Sequence, residues 1–267
     1  AFFYEILKRV SDLKVPIDRY LAGLEKLDLI RVRAIEPDLE YIFKHALTQE
    51  VVYSGILKKE RQEIHERIGL VIETLFKNRL PEFYETLAHH FSYSSNVGKA
   101  IDYLMKAGEK SAKKYSLDEA HQYFKEAYKI ITDKADKTKA EIELLMDLLI
   151  QWSYVFNYRG DFKNWHILLT NHINLAESAG NKRKLSMLYG WLGFCLYHRS
   201  KIKDAYAYLS TALKIGQELK DPSIIAYAST WLTWVCTEMG FLQKAVDYGE
   251  NAMEILKAKL LEVKKGK

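Results

Sequence analysis

An internal repeat constrains this chain more than any other feature. Three windows, Gln151 to His172, Trp191 to Ala212 and Trp231 to Ala252, lie over one another at offsets of 40 residues. In that alignment Gly160, Ser200 and Gly240 share a column, as do Phe162, Ile202 and Leu242, then Trp165, Ala205 and Ala245, and finally His172, Ala212 and Ala252. Each column has a physical meaning. A small residue ends one helix and permits a tight turn, the apolar residue two positions later packs the start of the next helix, and the alanines let two helices approach closely. A period of roughly 20–50 residues marks a repeat architecture, in which each unit buries its apolar face only by stacking on its neighbours.

The spacing resembles the tetratricopeptide repeat, whose pattern has a small residue at the eighth place, Ala at the twentieth, a large apolar residue at the twenty-fourth and Ala at the twenty-seventh. Gly193, Ala205, Leu209 and Ala212 fill those places, and upstream so do Gly108, Ala120, Phe124 and Ala127. The Gln151 window has Trp165 and His172 where small residues belong, which predicts looser packing or more splayed helices. The Trp231 window departs too, with Thr233 and Gly249 at two of the places. A 40-residue period exceeds the usual ~34 by about one and a half helical turns per hairpin. The pattern predicts helices near 82–94, 98–115, 117–131, 136–158, 162–178, 182–199, 202–219, 222–238 and 242–263. Ser116 reads as an N-cap before Asp118 and Glu119, while Gly180-Asn181 and Asp221-Pro222 read as turns, and Lys264 to Lys267 as a frayed tail.

Composition agrees with an all-α reading. Only 13 Gly and 4 Pro interrupt 267 residues, which favours long helices over many short strands. The formal charge of +5 is spread along the chain rather than gathered in a stripe, which argues against a nucleic-acid partner. No run approaches the ~20 apolar residues that cross a bilayer. The start, Ala1 to Val10, mixes charges of both signs and reads as neither signal peptide nor anchor, which implies a cytoplasmic protein with no membrane partner. Because Ala1 opens directly into an amphipathic pattern without an initiator Met, the chain reads as a piece of something longer. Cys195 and Cys236 read as buried free thiols.

Before residue 80 the pattern changes. Ala1 to Val10 and Ile17 to Leu27 read as two short helices, the second opened by Pro16. Residues 29–33 and 39–43 alternate apolar and polar around Glu36-Pro37-Asp38, a hairpin signal. Two helices and a two-stranded wing suggest a winged helix over 1–57. A connecting helix within 58–80, with Ile64, Ile68, Val71, Ile72 and Leu75 on one side, joins it to a repeat array over 81–267. The fold expected is therefore all-α, a tetratricopeptide-like α-hairpin superhelix preceded by a small winged-helix-like segment with a two-stranded hairpin.

The run from Tyr41 to Tyr53, followed by Arg61, Ile64, His65 and Ile68, is similar to a stretch of large bacterial signalling ATPases of the STAND type, including adenylate and guanylate cyclase-like members. Glu85 to Phe91, Ala100 to Leu104 and Ala107-Gly108 look like that family's first repeat. The resemblance covers about residues 20–130. It implies a sensor region lying after an ATPase domain in the same chain. In related ATPases a His in a Met-His-Asp-like motif at the end of the wing touches bound ADP, and the resemblance places His45 there, with Ala46 where the acidic residue belongs. The other reading of His45 is a cap on a helix starting near Leu47.

Nothing in the sequence points to catalysis. No GxxxxGK[ST] phosphate loop, HExxH zinc pair or GxSxG elbow occurs, and no cofactor or metal is implied. His89 and His90 are adjacent and so point to different faces of one helix. A groove is the stronger candidate. In this repeat class the first helix of each hairpin lines the concave face, near the small eighth residue. Those places hold Tyr154, Asn157, Tyr158, Phe194, Tyr197 and His198, and the last window adds Thr230, Trp234 and Glu238. Aromatics with a few hydrogen-bonding groups suit a protein segment, a peptide or a small effector, although the same rings could equally pack adjacent helices. The function implied is a non-catalytic sensor and scaffold relaying binding to the upstream ATPase. The alternative is DNA binding through a recognition helix at about Ile17 to Leu27, whose mixed charge is unfavourable beside phosphates.

Overall fold

In a computed structural model, which describes residues 2–11, 16–36, 38–133 and 136–265, the chain divides into two compact units, Ala1–Ala107 and Gly108–Lys267. The expected boundaries at 57 and 80 both fall inside the first unit.

The first unit opens with a short strand β1 (Phe2–Phe3) that leads directly into helix α1 (Tyr4–Val10). Then come α2 (Ile17–Lys26), β2 (Ile30–Ala34) and β3 (Glu40–Phe43). The hairpin signal is realised: β2 and β3 pair antiparallel, with Val32 opposite Tyr41 and an irregularity before Ala34. Pro37, at the expected turn, lies outside the described residues. The expected helix over 1–10 needs correction at its start, because Phe2 and Phe3 pair with Tyr41 and Glu40 and make the sheet three-stranded, in the order β1-β3-β2. The reason lies in the side chains. Phe2 stacks on Tyr41 at 5.8 Å and meets Phe43 at 5.7 Å, contacts that an extended edge provides. Ile17, Leu21, Ile30 and Tyr41 form the small core beneath.

Helices α3 (Ala46–Gly55), α4 (Lys58–Leu75) and α5 (Tyr84–Ser92) follow, with a 3-10 segment at Lys77–Glu82 carrying Pro81. Gly69 of α4 lets Phe91 of α5 approach so closely that a β-carbon there would lie 2.6 Å from the ring. The next helix, α6 (Val97–Lys113), runs into the second unit.

The second unit is a series of antiparallel helices: α7 (Leu117–Thr132), α8 (Lys139–Arg159), α9 (Phe162–Ser178), α10 (Lys182–His198), α11 (Ile202–Leu219), α12 (Pro222–Glu238) and α13 (Leu242–Lys265). Most bounds match the periodicity to within two residues. The start of α8 is later than expected because Thr138 and Glu141 form a reciprocal capping box there. Side-chain caps also come from Asp161, Asn181 and Asp221. Ser116 stands at the N-cap of α7 without making a side-chain cap bond, a correction to the sequence reading.

The small-residue column works as the repeat requires. Gly160, Ser200 and Gly240 have φ of 68°, 57° and 76°, the left-handed region, and Tyr115 holds the same place before α7 with φ 59°. After each, the next backbone N–H bonds to a carbonyl five residues back: Ser116 to Ser111 (2.9 Å), Asp161 to Phe156 (3.3 Å), Lys201 to Leu196 (2.9 Å) and Phe241 to Cys236 (2.8 Å). This is the backbone closure of a Schellman turn.

The eighth and twenty-fourth places touch. A β-carbon on Gly193 would meet Leu209 at 2.6 Å, and one on Gly108 would meet Phe124 at 2.9 Å. The departure in the last window is an exchange of sizes across the same contact, since Gly249 faces Thr233. In the Gln151 window the hairpin α8–α9 is indeed more open than α10–α11 or α12–α13. Its interior is nevertheless filled. Trp165 has no exposed surface, donates its indole N–H to Ser153 Oγ at 3.0 Å, and packs against Trp191 and Phe194. His172 bonds the Tyr128 hydroxyl at 2.8 Å. Both cysteines are free and buried, and Cys195 Sγ reaches Phe162 O, with burial pushing its pKa up to about 12.

Candidate functional site

On α8, Tyr154 and Tyr158 are four residues apart and therefore share a helix face. That face is open: the two side chains are 49% and 61% exposed, while their neighbours Val155 and Phe156 are buried. Tyr115, in the left-handed turn after α6, presents its ring edge-on to Tyr158 at 6.1 Å. These three tyrosines border a cavity of about 470 Å³ whose lining also includes Glu109, Lys113 and Gln151. The Gln151 carbonyl Oε1 is buried with no hydrogen-bond partner among the described residues, an unmet acceptor in the wall. Left-handed backbone at a bulky residue costs about 1–2 kcal/mol. The cost falls on the one member of its column whose side chain borders this cavity.

Tyr154 also lines a smaller cavity of about 130 Å³ with Arg183, Met187, Trp191, Ile224 and Tyr227. Tyr154 and Trp191 meet edge to face at 4.8 Å, and Trp191 meets Tyr227 at 5.3 Å. An aromatic surface thus continues from α8 across α10 to α12. Burial, and next the nearby Tyr154, raises the Tyr227 pKa well above the ordinary phenol value, so this hydroxyl keeps its proton.

The other residues singled out from the sequence have different surroundings. Phe194 is only 4% exposed and lies among Phe162, Trp165, Trp191 and Trp231, so it belongs to the packing between hairpins, a correction to its place in the groove. Tyr197 is half-buried beside Trp231. His198 is exposed and lies flat on Phe162 at 4.6 Å. Asn157 is half-buried on α8. Thr230 returns its hydroxyl to Ala226 O at 2.8 Å, while Trp234 (56% exposed) and Glu238 are open on α12. Neither cavity includes these three. His45 is exposed at the N-cap position of α3, where its side chain makes no cap bond.

Sequence reasoning missed Tyr115, Gln151, Arg183 and Tyr227. For Tyr115 a signal existed: a bulky aromatic stands in a column otherwise held by glycine and serine. The others sit on the expected helices, one or more turns before the places the repeat pattern singles out. Among the described residues no group of three or more His, Cys, Asp or Glu is placed to hold a metal, and no helix is long and apolar enough to cross a membrane.

No family model matches the chain. Over 111 residues, 40% of its length, it is 29% identical to an uncharacterized protein of Rhizobium meliloti (strain 1021), and it spans 10% of that protein. The apo form of RapI shares its fold, with 14% identity, 78% of this chain and 57% of that one covered, and a TM-score of 0.57. BtubC from P. vanneervenii matches with 14% identity, 92% and 93% coverage and a TM-score of 0.57. A Rap protein complexed with Competence and Sporulation Factor matches with 17% identity, 77% and 57% coverage and a TM-score of 0.53. Identities this low speak to architecture alone, and that architecture is the tetratricopeptide-like helical repeat.

Proposed function

We propose that the chain is a non-catalytic sensor and scaffold module that binds a protein or peptide segment in the groove bordered by Tyr115, Tyr154 and Tyr158. The observation that carries this reading is Tyr115, a strained aromatic held at the mouth of an open aromatic cavity beside an unsatisfied Gln151 acceptor. Exposed tyrosines give large contact area with little rotamer freedom to lose, and a backbone N–H of an extended segment would satisfy Gln151. The likeness to a Rap protein complexed with Competence and Sporulation Factor supports a role in recognition. Asn157, Tyr197, His198, Thr230, Trp234 and Glu238 extend the surface along the later hairpins, and a small effector is the other occupant of suitable size for the cavities.

The larger setting follows from the STAND resemblance. The segment 1–57 acts as a winged-helix-like relay, 58–80 as its connector and 81–267 as the sensing array, in a cytoplasmic protein whose upstream ATPase domain receives the signal. His45 is the residue through which bound nucleotide in that domain would be sensed.

The test is selection of binding segments from a displayed random-peptide library on the purified chain, followed by titration of the selected peptide. Tyr154→Ala with Tyr158→Ala is expected to weaken binding at least about tenfold, which is ~1.4 kcal/mol, with an unchanged circular dichroism spectrum. Undiminished affinity in that folded variant removes the groove from the reading.

A further inference from the structure

Helices α3, α4 and α5 of the first unit surround a different cavity, of about 710 Å³, whose lining includes Tyr53, Arg61, His65, Glu85, His90 and Tyr93. Arg61 has the unusual position. Its Nε is buried without a hydrogen-bond partner, and no described carboxylate pairs with its guanidinium, which instead lies 5.0 Å from the centroid of the Tyr53 ring. A buried Nε without a partner, on a guanidinium beside an aromatic face, retains only part of the stabilisation that an anionic partner would give. Glu85, the one carboxylate on the lining, already has a partner of its own.

The histidines fix the neighbouring part of the lining. His65 Nδ1 and His90 Nδ1 are 3.0 Å apart, so one carries the proton and the other accepts it. The Tyr53 hydroxyl stands 3.0 Å from His65 Nε2. Both His65 nitrogens are thereby occupied, and the ring is held in place against Tyr93, which stacks on it at 5.4 Å. Burial keeps His65 below its ordinary range and takes His90 to about 3, so both rings are neutral near pH 7. Arg61 is then the cationic group of a lining of rings and isoleucines that also includes Gln49, Glu85 and Thr86.

We propose that this cavity is a binding site for a small organic anion, its carboxylate or phosphate seated on Arg61 and its planar body against Tyr53 and Tyr93. The site is separate from the peptide groove, and its existence does not depend on that reading.

The experiment is a titration of the whole chain with benzoate and, separately, phenyl phosphate, observed in proton–carbon correlation spectra of the histidine rings. Inorganic phosphate serves as the arm without a body. Saturable shifts of the His65 and His90 rings at ~1 mM probe or below are expected for at least one organic probe, and which one identifies the headgroup. Arg61→Met should weaken that binding at least about tenfold while raising Tm, because a buried Nε without a partner is replaced by an apolar atom. Tyr93→Leu should weaken it about threefold or more and leave the Arg61 contact intact. No saturable shift with either organic probe in the folded protein overturns the proposal. So does undiminished affinity in Arg61→Met, or in Tyr93→Leu should Arg61→Met not fold. Inorganic phosphate binding as tightly as phenyl phosphate would overturn the part assigned to the planar body.

Discussion

Replacing Tyr115 by glycine separates two properties of one residue. Glycine adopts φ near 59° without the steric cost of a β-carbon, so Tyr115→Gly is expected to stabilise the second unit by about 0.5–1 kcal/mol in urea unfolding. The same change removes the ring from the cavity mouth and should weaken the selected peptide. A variant that is less stable than the parent would show that the ring contributes more to folding than its backbone strain costs. In the first unit the informative residue is His90. Its pKa is held to about 3 by burial, with His65 and His89 adding to the shift, whereas an unfolded histidine titrates near ~6.5. Below that value the unfolded chain takes up a proton that the folded chain refuses. Stability is therefore complete above pH ~6.5 and falls as the pH drops towards 3, by roughly 3 kcal/mol between pH 7 and 4 for this group alone. His90→Gln should flatten the slope of unfolding free energy against pH in that window. An unchanged slope would place the acid sensitivity elsewhere.

At the scale of elements, a single substitution has opposite expected signs in two hairpins. Gly193→Ala would push a β-carbon to 2.6 Å from Leu209 in a fully buried contact and should lower stability by about 1–3 kcal/mol. Gly249→Ala meets Thr233 at 3.6 Å, an ordinary contact, and should raise stability by about 0.5–1 kcal/mol through helix propensity. Thermal unfolding of the two variants checks both. In the α8–α9 hairpin, Trp165→Ala should cost about 3–5 kcal/mol, because a wide hairpin emptied of its indole cannot close on the space left. These elements were legible because the pattern residues act through size alone: Gly against Leu, Ala against the facing backbone, a small residue in the turn. What escaped the sequence depended on direction or distance. Nothing local shows that Phe2 and Phe3 would find Tyr41 and Phe43 some 40 residues away and extend the sheet. Nor does Ser116 reveal that it would leave its N-terminal cap unmade.

Over the whole molecule, the division of labour between core and surface was only partly readable. The sequence places Tyr154 and Phe194 at equivalent positions of successive repeats, and both are aromatic. Tyr154 is half exposed and Phe194 buried, because the α10 position faces Phe162, Trp165 and Trp231, and the α8 position opens beside the turn at Tyr115. A periodic pattern reports which helix a residue occupies, but burial depends on what the adjoining hairpin supplies. The histidine cluster of the first unit was hidden for the same reason. His65 lies 25 residues before His90, on a different helix, and adjacency in the sequence drew attention to His89 and His90 instead.

The turns at Tyr115, Gly160, Ser200 and Gly240 are closed by main-chain groups, an N–H reaching five residues back in each case, whatever side chain occupies the left-handed position. Heredity can therefore edit that position without rewriting the architecture. Glycine, serine and tyrosine already share it within this one chain, and at Tyr115 the exchange changes what the neighbouring cavity presents to its surroundings. Diversity among such arrays can accumulate at their corners, where a side chain costs only the ~1–2 kcal/mol of left-handed backbone, while the buried columns between them remain under the discipline of packing.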